Sequence, residues 1–312
     1  MPEWLIESGI GEIRAARIED GHILEARILR DGVVPAGTVL AARLTRSGTR
    51  NAVAVADACE YLLPKGAAGV TQGAPLAIEV TREALGGAEP WKRPLARATD
   101  AAPCAAPTLD GRALPFPAPD DALEAAGWSD LLDEARSGIV AFPGGELRIA
   151  LTPAMTLIDV DGAMAPEALA LAGATAAALA IRRHGIGGSI GIDLPTIGGK
   201  AARKAVAEAV DAALPPPFER TAVNGFGFLQ IVRQRRHASL FELAADRAMF
   251  EARALLRRAA RQVGAIQLVA HPAVIASLKP EWIDQLASQV GGAVTLRPDP
   301  SIAMSAAYAT SP

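Results

Sequence analysis

The chain changes its hydrophobic period near residue 121. Before that point apolar and polar residues alternate in short runs. After it, stretches of helical period are interleaved with compact apolar strands. Residues 4–7, 12–19 and 23–29 alternate as strands, and Asp20-Gly21 between the last two is a strong hairpin turn. Five further short runs at 38–44, 52–56, 61–63, 76–81 and 94–97, broken by Gly, Pro and Asn, predict a small barrel. Residues 98–120 hold Pro103, Pro107, Pro115, Pro117 and Pro119 amid Ala and Thr and read as a linker.

Beyond the linker, a helix at 121–136 leads to strands at 139–142 and 146–151, joined by Pro143-Gly144-Gly145, and to a strand at 155–160. The next helix starts near Pro166, a good first-turn residue. It ends at Arg182-Arg183-His184-Gly185, with cations in the last turn and Gly at a left-handed cap. A strand at 189–193, a helix at 200–213 stopped by Pro215-Pro216-Pro217, and strands at 219–223 and 226–233 complete a mixed sheet. One long amphipathic helix is expected at 240–263, and a β-α-α-β lobe with a short last strand at 266–308. The fold class is α+β / α/β multidomain.

Composition narrows the class. With 312 residues and 50% hydrophobic content, a disordered chain is excluded, and 29 Gly with 23 Pro are too few for a fibrous one. Cys59 and Cys104 cannot build a disulfide framework or a four-cysteine zinc site. No apolar run reaches the roughly 20 residues of a membrane helix, because the Ala-rich stretch 168–181 stops at Arg182-Arg183. Met1-Pro2-Glu3-Trp4 lacks the basic-then-apolar pattern of a secretion signal, so a soluble, cytoplasmic protein is expected.

The formal net charge is −3, which by itself argues against a nucleic-acid partner. Its distribution argues the other way. Residues 182–261 hold 14 basic and 7 acidic residues, a balance of +7, so the rest carries −3 − 7 = −10. One face of one domain is then expected to attract phosphate backbones, with solvated helix faces as the bland alternative.

The chemistry centres on three aspartates. Met155-Thr-Leu-Ile-Asp159-Val-Asp161-Gly162 is an apolar strand ending in Asp-x-Asp, and a period of two puts both acids on one face. Gly187-Gly-Ser-Ile-Gly-Ile-Asp193 also ends a strand in an acid. If the strands are neighbours, three carboxylates converge at one sheet edge, where ligands of α/β sheets bind. Such hard oxygen donors suit Mg²⁺ or Mn²⁺, which can acidify a water and polarise a phosphodiester. The competing reading is that Asp ends strands because it starts turns and caps helices. No Walker loop, nucleophile elbow, dinucleotide fingerprint or zinc-spaced His pair competes. His184 and His237 each sit beside Arg and are expected to face solvent; neither they, His22 nor His271 is assigned a catalytic role.

Three motifs resemble the ribonuclease E/G family in its order and at about its spacing. They are Leu147-Arg-Ile-Ala-Leu-Thr-Pro-Ala-Met-Thr-Leu-Ile-Asp-Val-Asp-Gly, Gly187-Gly-Ser-Ile-Gly-Ile-Asp-Leu, and Phe226-Gly-Phe-Leu-Gln-Ile-Val-Arg-Gln-Arg-Arg followed by His237-Ala-Ser-Leu240. Weaker similarity covers most of the remainder. The resemblance implies residues 1–34 as strands of a ribonuclease-H-like subdomain and 35–98 as an inserted OB-fold RNA-binding barrel. Residues 99–120 are the Pro/Ala-rich linker, 121–245 a DNase-I-like nuclease core, and 246–312 a C-terminal helix and small domain.

The activity implied is Mg²⁺-dependent endonucleolytic cleavage of single-stranded RNA, leaving a 5′-phosphate, in RNA processing or decay. Asp159 and Asp193 would be metal-binding carboxylates. Asp161, where many members have Asn, would join them in the catalytic and metal set or alter metal preference. Arg233, Arg235, Arg236 and Arg203, with Lys92 and Trp91, would bind RNA, and for Arg233 and Arg235 salt bridges are the alternative. The family's barrel aromatics correspond to Ala54 and Leu62, leaving Tyr61, Trp91 and Lys92 as substitutes. The family's 5′-end sensor falls on the linker interval, and its zinc-binding Cys pair is missing from Leu240-Phe-Glu-Leu-Ala-Ala-Asp246, so neither sensing nor zinc is expected. The C-terminal region is the candidate surface for a homodimer. The rival readings are a non-catalytic RNA-binding or scaffold protein of the same descent, and a metal-dependent phosphoesterase acting on a small molecule.

Overall fold

A computed structural model of the protein describes residues 2–87, 89–118 and 120–311. Met1, Pro119 and Pro312, which fall in the N-terminal tetrapeptide, the proline-rich interval and the C-terminal segment, lie outside the described residues. Strands β1 (Trp4–Ser8), β2 (Glu12–Glu19) and β3 (His22–Arg30) form an antiparallel meander. The β2–β3 turn is made by Asp20 and Gly21, both at positive φ (50° and 76°), the backbone that an Asp-Gly hairpin requires.

Five strands follow as expected: β4 (Val39–Arg46), β5 (Ala52–Ala56), β6 (Cys59–Leu63), β7 (Pro75–Arg82) and β8 (Leu95–Thr99). They close a barrel in the order β4-β5-β6-β8-β7 around Leu44, Tyr61, Leu63, Ile78 and Val80. The interval read as a linker then needs correcting. It contains β9 (Gly111–Leu114), which pairs in parallel with β1 and completes a four-stranded sheet β3-β2-β1-β9. Cys104 also bridges to Val39 of the barrel. The proline-rich composition hides a four-residue strand because an edge strand needs hydrogen bonds on one side only. The barrel is thus an insertion between two strands of one sheet.

The next helical stretch is two pieces, α1 (Ala122–Ala125) and α2 (Trp128–Ser137), separated at Gly127, whose φ of 92° leaves the helical region. β10 (Ile139–Phe142), β11 (Gly145–Leu151), β12 (Thr156–Gly162), α3 (Pro166–Arg183), β13 (Gly188–Asp193), α4 (Lys200–Ala213), β14 (Phe218–Arg220) and β15 (Phe228–Arg233) build a six-stranded mixed sheet. Its order is β10-β11-β12-β13-β15-β14, and β12 and β13 are its parallel pair, joined by α3. Helix α3 covers β10, β11 and β12 on one face and meets β3 on its other side, with α4 packed beside it. Alternate residues of the strands, such as Leu147, Ile158, Val160, Ile190, Ile192, Leu229 and Ile231, are buried there. They share one core with Ala16, Ile23 and Ala26 of the first sheet. Among the described residues no helix packs on the other face of the six-stranded sheet, where Arg148, Asp159 and Val232 are exposed.

The long helix expected at 240–263 is also divided, into α5 (Leu240–Ala244) and α6 (Arg247–Ala259). Two caps explain the break. Ser239 and Glu242 form a capping box that starts α5, and the Asp246 carboxylate accepts from the Met249 amide to start α6 anew. The remainder is β16 (Ile266–Ala270), α7 (Pro272–Ala276), α8 (Pro280–Val290), β17 (Val294–Pro298), a 3₁₀ turn at Met304–Ala306 and β18 (Tyr308–Thr310). The lobe has its own core around Leu255, Leu268, Trp282 and Leu286, with Ile10 of the first sheet contributing. Among the described residues no helix is long and apolar enough to cross a membrane.

Candidate active site

In the parallel pair β12–β13, Asp159 and Asp193 are register partners, so their Cα atoms stand about 4.8 Å apart. Both side chains lie on the face that α3 leaves uncovered, and Asp161, two residues on, shares it. The three acids singled out in the sequence therefore converge. Burial raises the pKa of Asp159 first, and the like charges of Asp161 and Asp193 raise it further. The Val160 amide and Arg148 offset part of that rise. A carboxylate crowded by two others in a solvent-open site is relieved by binding a proton or a cation.

Magnesium is commonly held by one or two carboxylates, with waters and substrate phosphates completing its shell. Asp159 and Asp193 match that donor set. Among the described residues no group of three or more His, Cys, Asp or Glu side chains is arranged to hold a metal ion. Asp161 is engaged otherwise: its Oδ2 accepts from Arg148 Nε at 3.3 Å, and Arg148 also pairs with Glu146. The candidate seat is thus two carboxylates, and the third acid belongs to an ion-pair network.

Around the seat, the Phe228 ring lies over Gly191; a Cβ at Gly191 would stand 2.5 Å from it. The adjoining loop is braced by Asn224, whose side-chain oxygen accepts from the amides of Phe226 (2.9 Å) and Phe228 (3.0 Å). Thr196 ties the loop after Asp193 to the Phe226 carbonyl at 3.3 Å. This leaves the Phe226 ring 84% exposed on a held backbone. Phe226 and Arg148 are the site residues that motif reading passed over. Both were legible in principle: Arg148 sits at even spacing on the strand before the Asp-x-Asp, and Phe226 precedes the Gly of the last motif.

The residues expected to bind RNA do not gather here. On β15 the alternation that places Phe228, Gln230 and Val232 on the open face turns Arg233 to the covered face. Its Nη1 donates to the Ile186 carbonyl at 3.2 Å, and burial lowers its pKa. Arg235 is held by Glu89 at 2.8 Å and by Glu242, the salt-bridge alternative. Arg236 is exposed, but it lies beyond the end of β15 on that same side of the molecule, where its carbonyl accepts from the Glu83 amide. Lys92 is paired with Glu89 at 2.5 Å.

Trp91 is 71% exposed and, with Lys92, Arg235 and Gly188, lines a pocket of 140 Å³ at the other end of the sheet. Gly188 is five residues before Asp193, about 17 Å along the strand. Tyr61 is no stacking platform, because it is buried in the barrel core, where burial first and Cys59 second push its hydroxyl up to about 12. Arg203 lies at the start of α4 with Lys200 and Lys204, ten residues past Asp193, where its Nη1 reaches the Ile197 carbonyl at 3.5 Å.

The excess charge of residues 182–261 is likewise not one surface. Arg235 pairs with Glu89, Arg257 with Glu12, Arg261 with Asp121, and Arg183 with Glu134, all acids from earlier in the chain. The histidines are corrected too. His184, which caps α3, is fully buried against Phe241 (ring centroids 4.5 Å apart), with Nε2 2.8 Å from Glu134. His237 is half-buried near Arg27, Arg233 and Arg236; burial first, then those charges, bring its pKa to about 4. No family model matches the chain, and no curated protein matches its sequence.

Proposed function

We propose that the protein is a metal-dependent endoribonuclease acting on single-stranded RNA. One observation carries the reading: Asp159 and Asp193 meet as register partners on an open sheet face, at the strand pair where the chain crosses over. A magnesium or manganese ion there would supply a charge that acidifies a water and polarises a phosphodiester. The protein's own residues do the rest. Asp159 and Asp193 hold the ion, and Phe226 offers a face on which a base can stack beside the cut. Lys200 and Arg203 lie on the chain just past Asp193, where they lower the cost of bringing a polyanion to the acids.

Hydrolysis forms a bond from water oxygen to phosphorus and breaks the bond from phosphorus to the 3′ oxygen. The 3′ oxygen leaves with a proton, and the phosphate stays on the 5′ end. The closed five-stranded barrel supports an OB-fold reading of residues 35–98, and the one-sided mixed sheet a DNase-I-like reading of 121–245. The three motifs that resemble the ribonuclease E/G family fall on β11–β12, β13 and β15 of this sheet, which supports reading the chain as similar to that family. In the C-terminal lobe β17 and β18 are both edge strands, with Leu296 and Tyr308 partly exposed, which supports that region as the contact of a homodimer.

The test is incubation with 5′-labelled single-stranded RNA, with and without Mg²⁺, beside Asp193→Asn. Wild-type cleavage that needs the metal and disappears in the variant is the expected result. Undiminished cleavage by Asp193→Asn removes the mechanism. RNA binding without turnover in either Mg²⁺ or Mn²⁺ decides for a non-catalytic RNA-binding scaffold instead.

A further inference from the structure

We infer that Arg148 is a phosphate-contacting residue of this site and that Asp161 is its anchor, not a metal ligand. The inference rests on the nuclease reading above. Arg148 is the register partner of Asp159 across β11 and β12, so it stands on the open face directly beside the two-carboxylate seat. Among the described residues it is the one basic side chain that strand alternation places on that face. Its Nε binds Asp161 and its Nη2 binds Glu146, so two carboxylates hold the guanidinium from two sides. A guanidinium has five N–H donors in a rigid fork, and this arrangement leaves Nη1 without an acceptor among the described residues.

The charges explain why such a group is needed. Glu146, Asp159, Asp161 and Asp193 put four negative charges on one patch of sheet. A divalent ion at Asp159 and Asp193 cancels two. A phosphodiester approaching the patch still meets the other two unless a fixed cation answers them. Arg148, with its single charge, answers one of them, and its side chain is half exposed, so a ligand can reach it. The same pairing explains Asp161. The Asp161 oxygen that accepts from the guanidinium at 3.3 Å is engaged there rather than at the seat. An amide in its place would hold Arg148 less firmly and would change metal binding only by the loss of a neighbouring charge.

The test measures two properties on the same proteins: Mn²⁺ affinity in the absence of RNA, from the free-ion electron paramagnetic resonance signal, and single-turnover cleavage of a single-stranded RNA. Arg148→Gln is expected to slow cleavage about 10²-fold, as the loss of one donor to a developing charge does. It is also expected to tighten Mn²⁺ binding, because a positive neighbour is gone. Arg148→Lys restores part of the rate. Asp161→Asn weakens Mn²⁺ binding by less than about tenfold, the size of a screened charge effect at this range, while Asp159→Asn abolishes it. Circular dichroism shows that the exposed substitutions leave the fold intact. Two results overturn the inference: Arg148→Gln cleaving as fast as wild type, or Asp161→Asn losing Mn²⁺ as completely as Asp159→Asn. A wild-type protein that neither binds Mn²⁺ nor cleaves brings down the nuclease reading itself, and this inference with it.

Discussion

Two clusters of charge in this molecule are built on opposite rules. Beneath the first sheet, Arg14 and Glu7 are both almost wholly buried and pair at 2.5 Å, and Asp121 takes the other side of Arg14 at 2.5 Å. Arg261 closes on Asp121, and Arg257 on Glu12 nearby. Burial works against the Arg14 charge, yet Glu7 and Asp121 hold its pKa above the ordinary value. Every acid there faces a base. On the open face of the six-stranded sheet, Asp159 faces two other acids and its pKa is raised. The first arrangement is complete in itself and ties the N-terminal sheet to α6. In the second, acids outnumber bases: among the described residues Arg148 is the one base beside Glu146, Asp159, Asp161 and Asp193. Alternating signs in a core read as scaffold; like signs at an open strand end read as a site.

That contrast can be broken by substitution. Asp193→Asn should lower metal-dependent RNA cleavage by roughly 10³-fold, since losing several kcal/mol of metal-borne stabilisation costs a factor of ten per 1.4 kcal/mol. The urea midpoint in the absence of metal should stay near wild type. In the buried cluster the pattern inverts. Arg14→Met leaves the buried Glu7 with only Arg261, 3.8 Å away, and should cost about 3–5 kcal/mol of stability by urea denaturation. Any loss of cleavage there should track the unfolded fraction.

Phe226→Ala should weaken single-stranded RNA binding by about 1–3 kcal/mol, the usual worth of one stacked base, as read by fluorescence anisotropy. Unchanged affinity would mean that no base reaches that ring.

The last expected effect concerns the covered side of the sheet and appears only as pH falls. The pKa of His237, about 4, lies below its unfolded value near 6.5. Between those values the unfolded chain binds the extra proton and the folded one does not. Stability held above about pH 6.5 is therefore lost as pH falls towards 4. His237→Gln should flatten that part of the stability profile, measured as urea midpoint against pH, without altering Mg²⁺ dependence.

What was legible in the sequence is what short-range periodicity controls. The acids of Asp-x-Asp share a face because side chains alternate, and Asp193 joins them because a second apolar strand ends in the same way. The barrel's five strands and the Asp20-Gly21 turn were legible for the same reason. Partnerships between distant segments were not. Nothing near Arg235 announces Glu89, and nothing near Arg257 announces Glu12, so an excess of +7 along the chain dissolves in space. Arg233 shows the limit most clearly. Its strand was foreseen, but its side depends on β15 pairing Phe228 with Asp193, and a shift of one residue would have turned it to the acids. Likewise the apolar period runs on past Asp246, and only the cap formed by that side chain ends one helix and begins another.

The central claim is that water attacks a phosphodiester at Asp159 and Asp193. Cleaving single-stranded RNA in ¹⁸O-labelled water with Mg²⁺, and weighing the products by mass spectrometry, tests it most directly. The account predicts one ¹⁸O atom in each new 5′-phosphate and a free 3′-hydroxyl on the partner fragment. Unlabelled 5′-hydroxyl ends with a 2′,3′-cyclic phosphate would show that the RNA's own 2′-hydroxyl was the nucleophile, and would contradict it.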